Sequence, residues 1–324
     1  MPERMRLLRS IAEITADYRE GEVAPPTPEH VARWIEQFPQ DVHEPILREM
    51  EHVLHRQYLS RTRVEKFLSG VITNAKLTDG NPAKFWSGVN FLDIQGAGHS
   101  QSSLLEIFDR SLRSACGLPI AGCGQNPHSY LYLDDVLFSG GRIKSDLGEW
   151  VQNSAPAKAN VIVLAIMFHT QGLYFAKKDL QKIIGDSGKA IDVKWRRAAI
   201  VDDGIARVNT SDVLRLTSVP DEPQAMAYVE GLGKPLELRT GSGSKLFSSE
   251  TGRTLLEQEF FKAGLRIREL CPALDIYMRP LGRTLLKTPG FGSMVVTWRN
   301  CPNNAPLALW AGHPWYPLFA RKTN

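Results

Sequence analysis

Residues 130–143, Tyr-Leu-Tyr-Leu-Asp-Asp-Val-Leu-Phe-Ser-Gly-Gly-Arg-Ile, hold two adjacent acids, Asp134 and Asp135, and then Phe138-Ser139-Gly140-Gly141. Carboxylates can hold sugar hydroxyls directly or through Mg2+. A Ser-Gly-Gly turn at the start of a helix exposes successive backbone N–H groups, and these form a cradle for phosphate. The two features together suit a sugar phosphate that bears further phosphates. Asp134 and Asp135 are therefore the candidate catalytic and metal-holding residues, and Ser139, Gly140, Gly141 and Arg142 the candidate phosphate contacts. The plainer alternative is a buried strand that ends in an ordinary Asp-Asp pair and a Gly-Gly turn.

A second turn, Gln95-Gly96-Ala97-Gly98-His99-Ser100, precedes the acids by one strand–helix unit. Its glycines allow close approach to phosphate oxygens, and the helix that follows adds a positive dipole end. All six residues are candidates for holding a pyrophosphate; the alternative is a tight turn whose glycines only ease packing. Asp202-Asp203-Gly204 is a rival metal site, but no glycine cradle follows it. The 240–245 stretch, Thr-Gly-Ser-Gly-Ser-Lys, lacks the spacing of a phosphate-binding P-loop and reads as a linker. Phe138 and Trp310 are the candidates for stacking on a base. Trp315 and Tyr316 extend the aromatic tail, which alternatively wraps a core.

The elements that must position these groups follow from hydrophobic spacing. Residues 1–88 read as helical, with apolar positions three and four apart, such as Val31, Trp34, Ile35 and Phe38. From residue 89 strands alternate with helices. Strands are expected at 89–94, 118–121, 130–133, 160–168 and 198–201, and helices at 102–116, to about 151, at 176–184 and at 249–264. In this reading the acids sit at the C-terminal end of their strand, where open α/β sheets bind ligands. Repeated β-α-β order argues an α/β fold with a mainly parallel sheet flanked by helices. The expected domains are a helical region, 1–88, and an α/β domain with an aromatic C-terminal cap, 89–324.

Composition narrows the classes. Hydrophobic residues make up 43% of 324, enough for a substantial core, and a net charge of +4 is too small to argue nucleic-acid binding by itself. Cys116, Cys123, Cys271 and Cys301 form no CxxC pair and no zinc spacing with histidine. No apolar run approaches the roughly 20 residues of a membrane span, and the charged N-terminus is unlike a signal peptide. The expectation is a cytoplasmic protein without membrane contact; a homo-oligomer is open.

The stretch from Leu131 to Gly141 resembles the phosphoribosyl-pyrophosphate (PRPP) motif of type I phosphoribosyltransferases, in which an apolar strand leads to two acids, two apolar residues and a Thr/Ser-Gly-Gly turn. The resemblance implies that Asp134 and Asp135 hold the ribose hydroxyls, directly or through Mg2+, and that residues 139–141 bind the 5′-phosphate. Phe138 replaces the family's small or acidic residue, and Arg142 replaces its closing Thr. The interval 117–129 lacks the Lys or Arg of the family's usual mobile loop. Over residues 28–321 the chain is similar to phosphoribosyltransferase-like effectors of bacterial anti-phage systems, including some retrons. That similarity also rests on Gly252-Arg253, on Leu256-Glu257-Gln258-Glu259-Phe260 and on Asn300-Cys301-Pro302-Asn303-Asn304. It implies a PRPP- or nucleotide-directed effector of uncertain catalytic competence, held by a partner protein, RNA or DNA. A non-catalytic nucleotide sensor and a nucleic-acid-associated module on the same fold remain alternatives.

Overall fold

The computed structural model describes residues 2–96, 100–241 and 243–322. In chain order the elements are α1 (Glu3–Ile14), α2 (Pro28–Ile35), α3 (His43–Gln57), β1 (Tyr58–Leu59), α4 (Arg61–Ile72), α5 (Ala75–Thr78), α6 (Pro82–Ser87), β2 (Val89–Leu92) and α7 (Ser100–Cys116). They continue with β3 (Ser129–Leu137), α8 (Gly141–Asn153), β4 (Lys158–His169), α9 (Thr170–Ser187), β5 (Ala190–Val201), α10 (Pro223–Glu230), α11 (Glu250–Leu270), β6 (Val296–Thr297) and α12 (Leu307–Trp310). The chain forms two compact units, Met1–Arg61 with Asp202–Thr323, and Thr62–Val201. The helical stretch 1–88 is thus shared between the two units.

The central unit is α/β. Its sheet has the order β2-β3-β4-β5 with every pairing parallel. The β4 sequence Val161-Ile162-Val163-Leu164-Ala165-Ile166 is buried at every position, as a strand covered on both faces requires. One face holds Tyr132, Val161, Val163 and Ala165 and packs against Ile143, Leu147 and Trp150 of α8 and Leu173, Ala176 and Leu180 of α9. On the other face Phe91 meets Trp86 of α6 and Phe108 of α7, with ring centroids 6.1 and 5.3 Å away. Helices therefore flank the sheet on both sides.

Several boundaries differ from the sequence reading: α9 runs from Thr170 to Ser187 rather than over 176–184, and α11 reaches Leu270 rather than 264. Residues 118–121 form no strand; a 3-10 turn, Ile120–Gly122, stands there, introduced by Pro119, which has no amide for a ladder. β5 begins at Ala190, eight residues before the expected 198, because an edge strand exposing Asp192, Lys194 and Arg196 has no apolar run to betray it. β3 extends past both acids to Leu137.

The second unit combines helices with long irregular segments and one short parallel pair, Tyr58 against Val296 and Leu59 against Thr297. Val31, Trp34 and Ile35 of α2 and Ile46, Leu47, Met50, Val53 and Leu54 of α3 are all buried, as their spacing predicts. Thr27 caps α2 and Ser249 caps α11 through their side chains, each accepting from an amide three residues on.

Candidate functional site

β3 carries Asp134 and Asp135 within its span rather than beyond its end, and its pleat breaks there. Tyr132 and Leu137 belong to one buried cluster, as do Ala165 and Phe168 of β4, although strict alternation would put each pair on opposite faces. The register aligns Asp134 with Ala165 and Val136 with Met167. The carboxylates take up the local amides: Asp134 Oδ1 accepts from Asp135 N at 3.0 Å, and Asp135 Oδ1 from Val136 N at 2.7 Å. Irregularities of this kind re-aim side chains next to sites.

Asp134 is 5% exposed, whereas Asp135 is half-buried. Burial pushes the Asp134 carboxyl up to about 8; the charge of Asp135 adds to the rise, and Arg142 opposes it. Burial therefore favours the neutral form of the Asp134 carboxyl, and a cation beside it would oppose that preference.

The turn after β3 leads straight into α8. Gly140, with φ 77°, is the residue before the helix, and no side chain caps the helix start. The Gly141 amide donates to Ser139 Oγ, at 3.5 Å. Ser139, Gly141 and Arg142 are exposed and Gly140 is buried. A Cβ on Gly140 would stand 2.6 Å from Gly172 O, and one on Gly172 would stand 1.8 Å from Phe138 O. The turn is pressed against the first residues of α9. Gly140 thus serves packing, whereas Gly141, with only Ser139 Oγ near its Cβ position at 3.6 Å, keeps open space in front of the helix end. Phe138 packs on His169, ring centroids 5.0 Å apart. His169 is itself buried and bonded through Nδ1 to Leu137 O at 3.0 Å.

The other turn reaches the same end of the sheet. Gln101, fully buried on α7, accepts from the amides of Ile94 (2.7 Å) and Gln95 (3.0 Å) and donates to Leu133 O at 3.3 Å. It ties the turn to β3 just before the acids. Asp146 of α8 accepts from Tyr132 OH at 2.7 Å and from Gly96 N at 3.5 Å. Burial first, and then the nearby acids, raise the Tyr132 phenol and keep it protonated. Gln95 Oε1 takes Ser100 Oγ at 2.9 Å and the Gln101 amide at 3.1 Å. That fixes the amide orientation and leaves Gln95 Nε2 buried with no partner among the described residues. An unpaired buried donor is costly unless a ligand acceptor meets it. Ala97, Gly98 and His99 of this turn lie outside the described residues.

Sequence reasoning missed Gln101, Asp146 and Gly172. Gln101 and Asp146 each interrupt an apolar helix face, Gln101 with Leu104, Leu105 and Phe108, and Asp146 with Ile143, Leu147 and Trp150. A polar residue on such a face needs a buried partner, and that was the available signal.

Trp310 belongs to the other unit. It is 8% exposed, donates to Ala305 O at 2.8 Å and lies under Arg321 at 5.3 Å. Trp315 is likewise buried and donates to Ala308 O at 3.0 Å. These rings are engaged in packing. Asp202, in the rival pair, accepts from Gly204 N at 3.1 Å, and its own amide donates to Asp212 Oδ2 at 2.9 Å. Among the described residues no three His, Cys, Asp or Glu side chains gather as a metal cluster. Mg2+ is commonly held by one or two carboxylates plus substrate oxygens. Asp134 and Asp135 fit that mode and not a resident cage.

No curated protein matches the chain. The family model PRTase-CE matches residues 31–321, a span that includes both turns, both acids and the aromatic tail. A match over nearly the whole length, on a parallel sheet flanked by helices, places the chain in the PRTase-CE family as a phosphoribosyltransferase-like protein.

Proposed function

We propose that the central unit binds PRPP or a related nucleotide with Mg2+. The supporting observation is one strand–turn–helix segment that supplies two carboxylates and, a few residues later, a helix start without a side-chain cap. The amides of Ser139, Gly140 and Gly141 hold the 5′-phosphate, and Arg142 adds charge beside it. Asp134 and Asp135 would hold the ribose hydroxyls, directly or through Mg2+, which would supply charge neutralisation to the leaving pyrophosphate. Gln95 Nε2, buried and unpaired, donates to a phosphate oxygen. When the bond from ribose to pyrophosphate breaks, its electron pair leaves with the pyrophosphate and positive charge develops on the sugar. The carboxylates stabilise that charge, and the attacking group is a base nitrogen or water.

Asp135→Asn is expected to lower turnover by roughly 10²–10³, the effect of losing one preorganised charge-stabilising group. The binding test is calorimetry with PRPP, ATP and NAD, with and without Mg2+, on the chain and on Asp134→Ala. Unchanged heats in Asp134→Ala would remove the acids from the site. A binding-only version is favoured by Phe138, whose ring packs on His169 at a position the family fills with a small or acidic residue. Mass spectrometry of products separates the two versions. The resemblance to anti-phage effectors supports a role in defence. Growth arrest of cells expressing the chain, relieved by Asp134→Ala, is the outcome expected of such an effector.

A further inference from the structure

The unit formed by Met1–Arg61 and Asp202–Thr323 holds a charge cluster that the proposed function does not use. Glu257 of α11 is fully buried. It accepts from Arg253 Nε at 2.8 Å, from Arg239 Nη2 at 2.9 Å and from the main-chain amide of Arg215 at 3.0 Å. Arg253 and Arg239 are each 1% exposed, and Arg253 Nη1 is buried with no partner among the described residues. Arg239 also pairs with Glu250, whose side chain is partly exposed. The Arg253 and Glu257 of the sequence motifs are therefore one ion pair, anchoring the segment that carries Arg215.

The Arg215 guanidinium is held by main-chain carbonyls. Nη1 donates to Phe291 O at 2.8 Å and Leu214 O at 3.1 Å, and Nη2 reaches Asp203 O at 3.4 Å. Burial holds its pKa down to about 10, partly offset by Asp203. Carbonyl dipoles hold a guanidinium in place without cancelling its charge.

Arg215 lines a pocket of about 320 Å³, the size range of small-molecule sites. Lys234 and Lys287 line it as well; both are exposed, and neither forms an ion pair among the described residues. Leu214, Leu216, Leu236 and Leu281 make its walls apolar, and Glu237 and Thr288 offer polar groups. Three cations against one acid call for an anion, apolar walls call for a flat or aliphatic body, and Glu237 calls for a donor on that body. A lone inorganic anion would leave the walls unused, and a fatty acid would leave Glu237 unpaired.

We propose that this pocket is a second ligand site, which takes an organic phosphate of mononucleotide size, with its phosphate toward Arg215, Lys234 and Lys287 and its base against the leucines. The site is independent of the proposed PRPP site, being built wholly within the other unit. The test is hydrogen exchange and calorimetry on the full chain with AMP, adenosine and inorganic phosphate. AMP is expected to protect 205–216, 234–238 and 286–290 and to bind more tightly than either fragment. The double variant Lys234→Glu/Lys287→Glu changes two exposed side chains and is expected to weaken AMP at this site by about tenfold. Exchange at 139–146 reports the PRPP site separately, so that failure of one reading is distinguished from failure of the other. Absence of protection around the pocket at saturating AMP, equal binding of adenosine or of phosphate, or unchanged affinity in the double variant each overturns the proposal.

Discussion

Asp134 sets stability against ligand binding, and Asp134→Asn separates them. In the unfolded chain this carboxyl ionises near the ordinary value of about 4. In the folded protein burial, reinforced by Asp135, lifts it to about 8. Between those values the folded state keeps a proton that the unfolded state has released. The favourable contribution is thus fully present below about pH 4 and is lost as pH rises through about 8. The loss runs at up to about 1.4 kcal/mol per pH unit for one proton. Asn has nearly the same shape, retains an oxygen that can accept from the Asp135 amide, and carries no charge to desolvate. Urea unfolding of the chain and of Asp134→Asn at pH 5, 6, 7 and 8 measures the difference directly, because other titrating groups cancel. The advantage of the variant should widen by about 1.4 kcal/mol per unit between pH 5 and 7. The same variant should lose Mg2+-dependent binding of PRPP, since it cannot offer the carboxylate. Parallel stability curves for the two proteins would refute the argument, whatever the binding result, because they would mean that Asp134 ionises in the folded state as readily as in the unfolded one.

The two glycines of the phosphate turn should behave differently. Gly140→Ala, placed at φ 77° with its Cβ 2.6 Å from Gly172 O, should destabilise by about 1–3 kcal/mol in thermal or urea unfolding. Gly141→Ala has space, so its stability should stay within about 0.5 kcal/mol while PRPP affinity falls in calorimetry. Gln101→Leu strands the amides of Ile94 and Gln95 and the carbonyl of Leu133, and should cost about 2–4 kcal/mol, with faster hydrogen exchange at 94–96. Glu257→Gln leaves Arg239 and Arg253 buried without their carboxylate and should cost about 3–5 kcal/mol in urea unfolding.

Much of the central unit was legible because its signals are local. The apolar run of β4 and the amphipathic spacing of α7 each follow from neighbours within a few residues. The strand end beyond Asp135 was not legible. Two adjacent acids normally end a strand, and only the β4 partner, with its matching break at Ile166, carries the ladder on to Leu137. The 1–88 stretch reads as uniformly helical, yet its division between the two units depends on contacts with residues 202–323, far away in sequence.

The sequence by itself determined which residues could do chemistry, Asp134, Asp135 and the Ser139-Gly140-Gly141 turn, and the α/β order that puts the acids on a parallel strand ahead of a helix. That much follows from residue type and spacing. Only the tertiary structure decided which of the two acids is buried, that Gly140 serves packing while Gly141 stays open, and that Gln101 and Asp146 tie the two turns together. It also joined Arg253 and Glu257 to Arg215 at the wall of a second pocket. These outcomes depend on desolvation and on close approach between segments distant in the chain, and neither is encoded in local spacing.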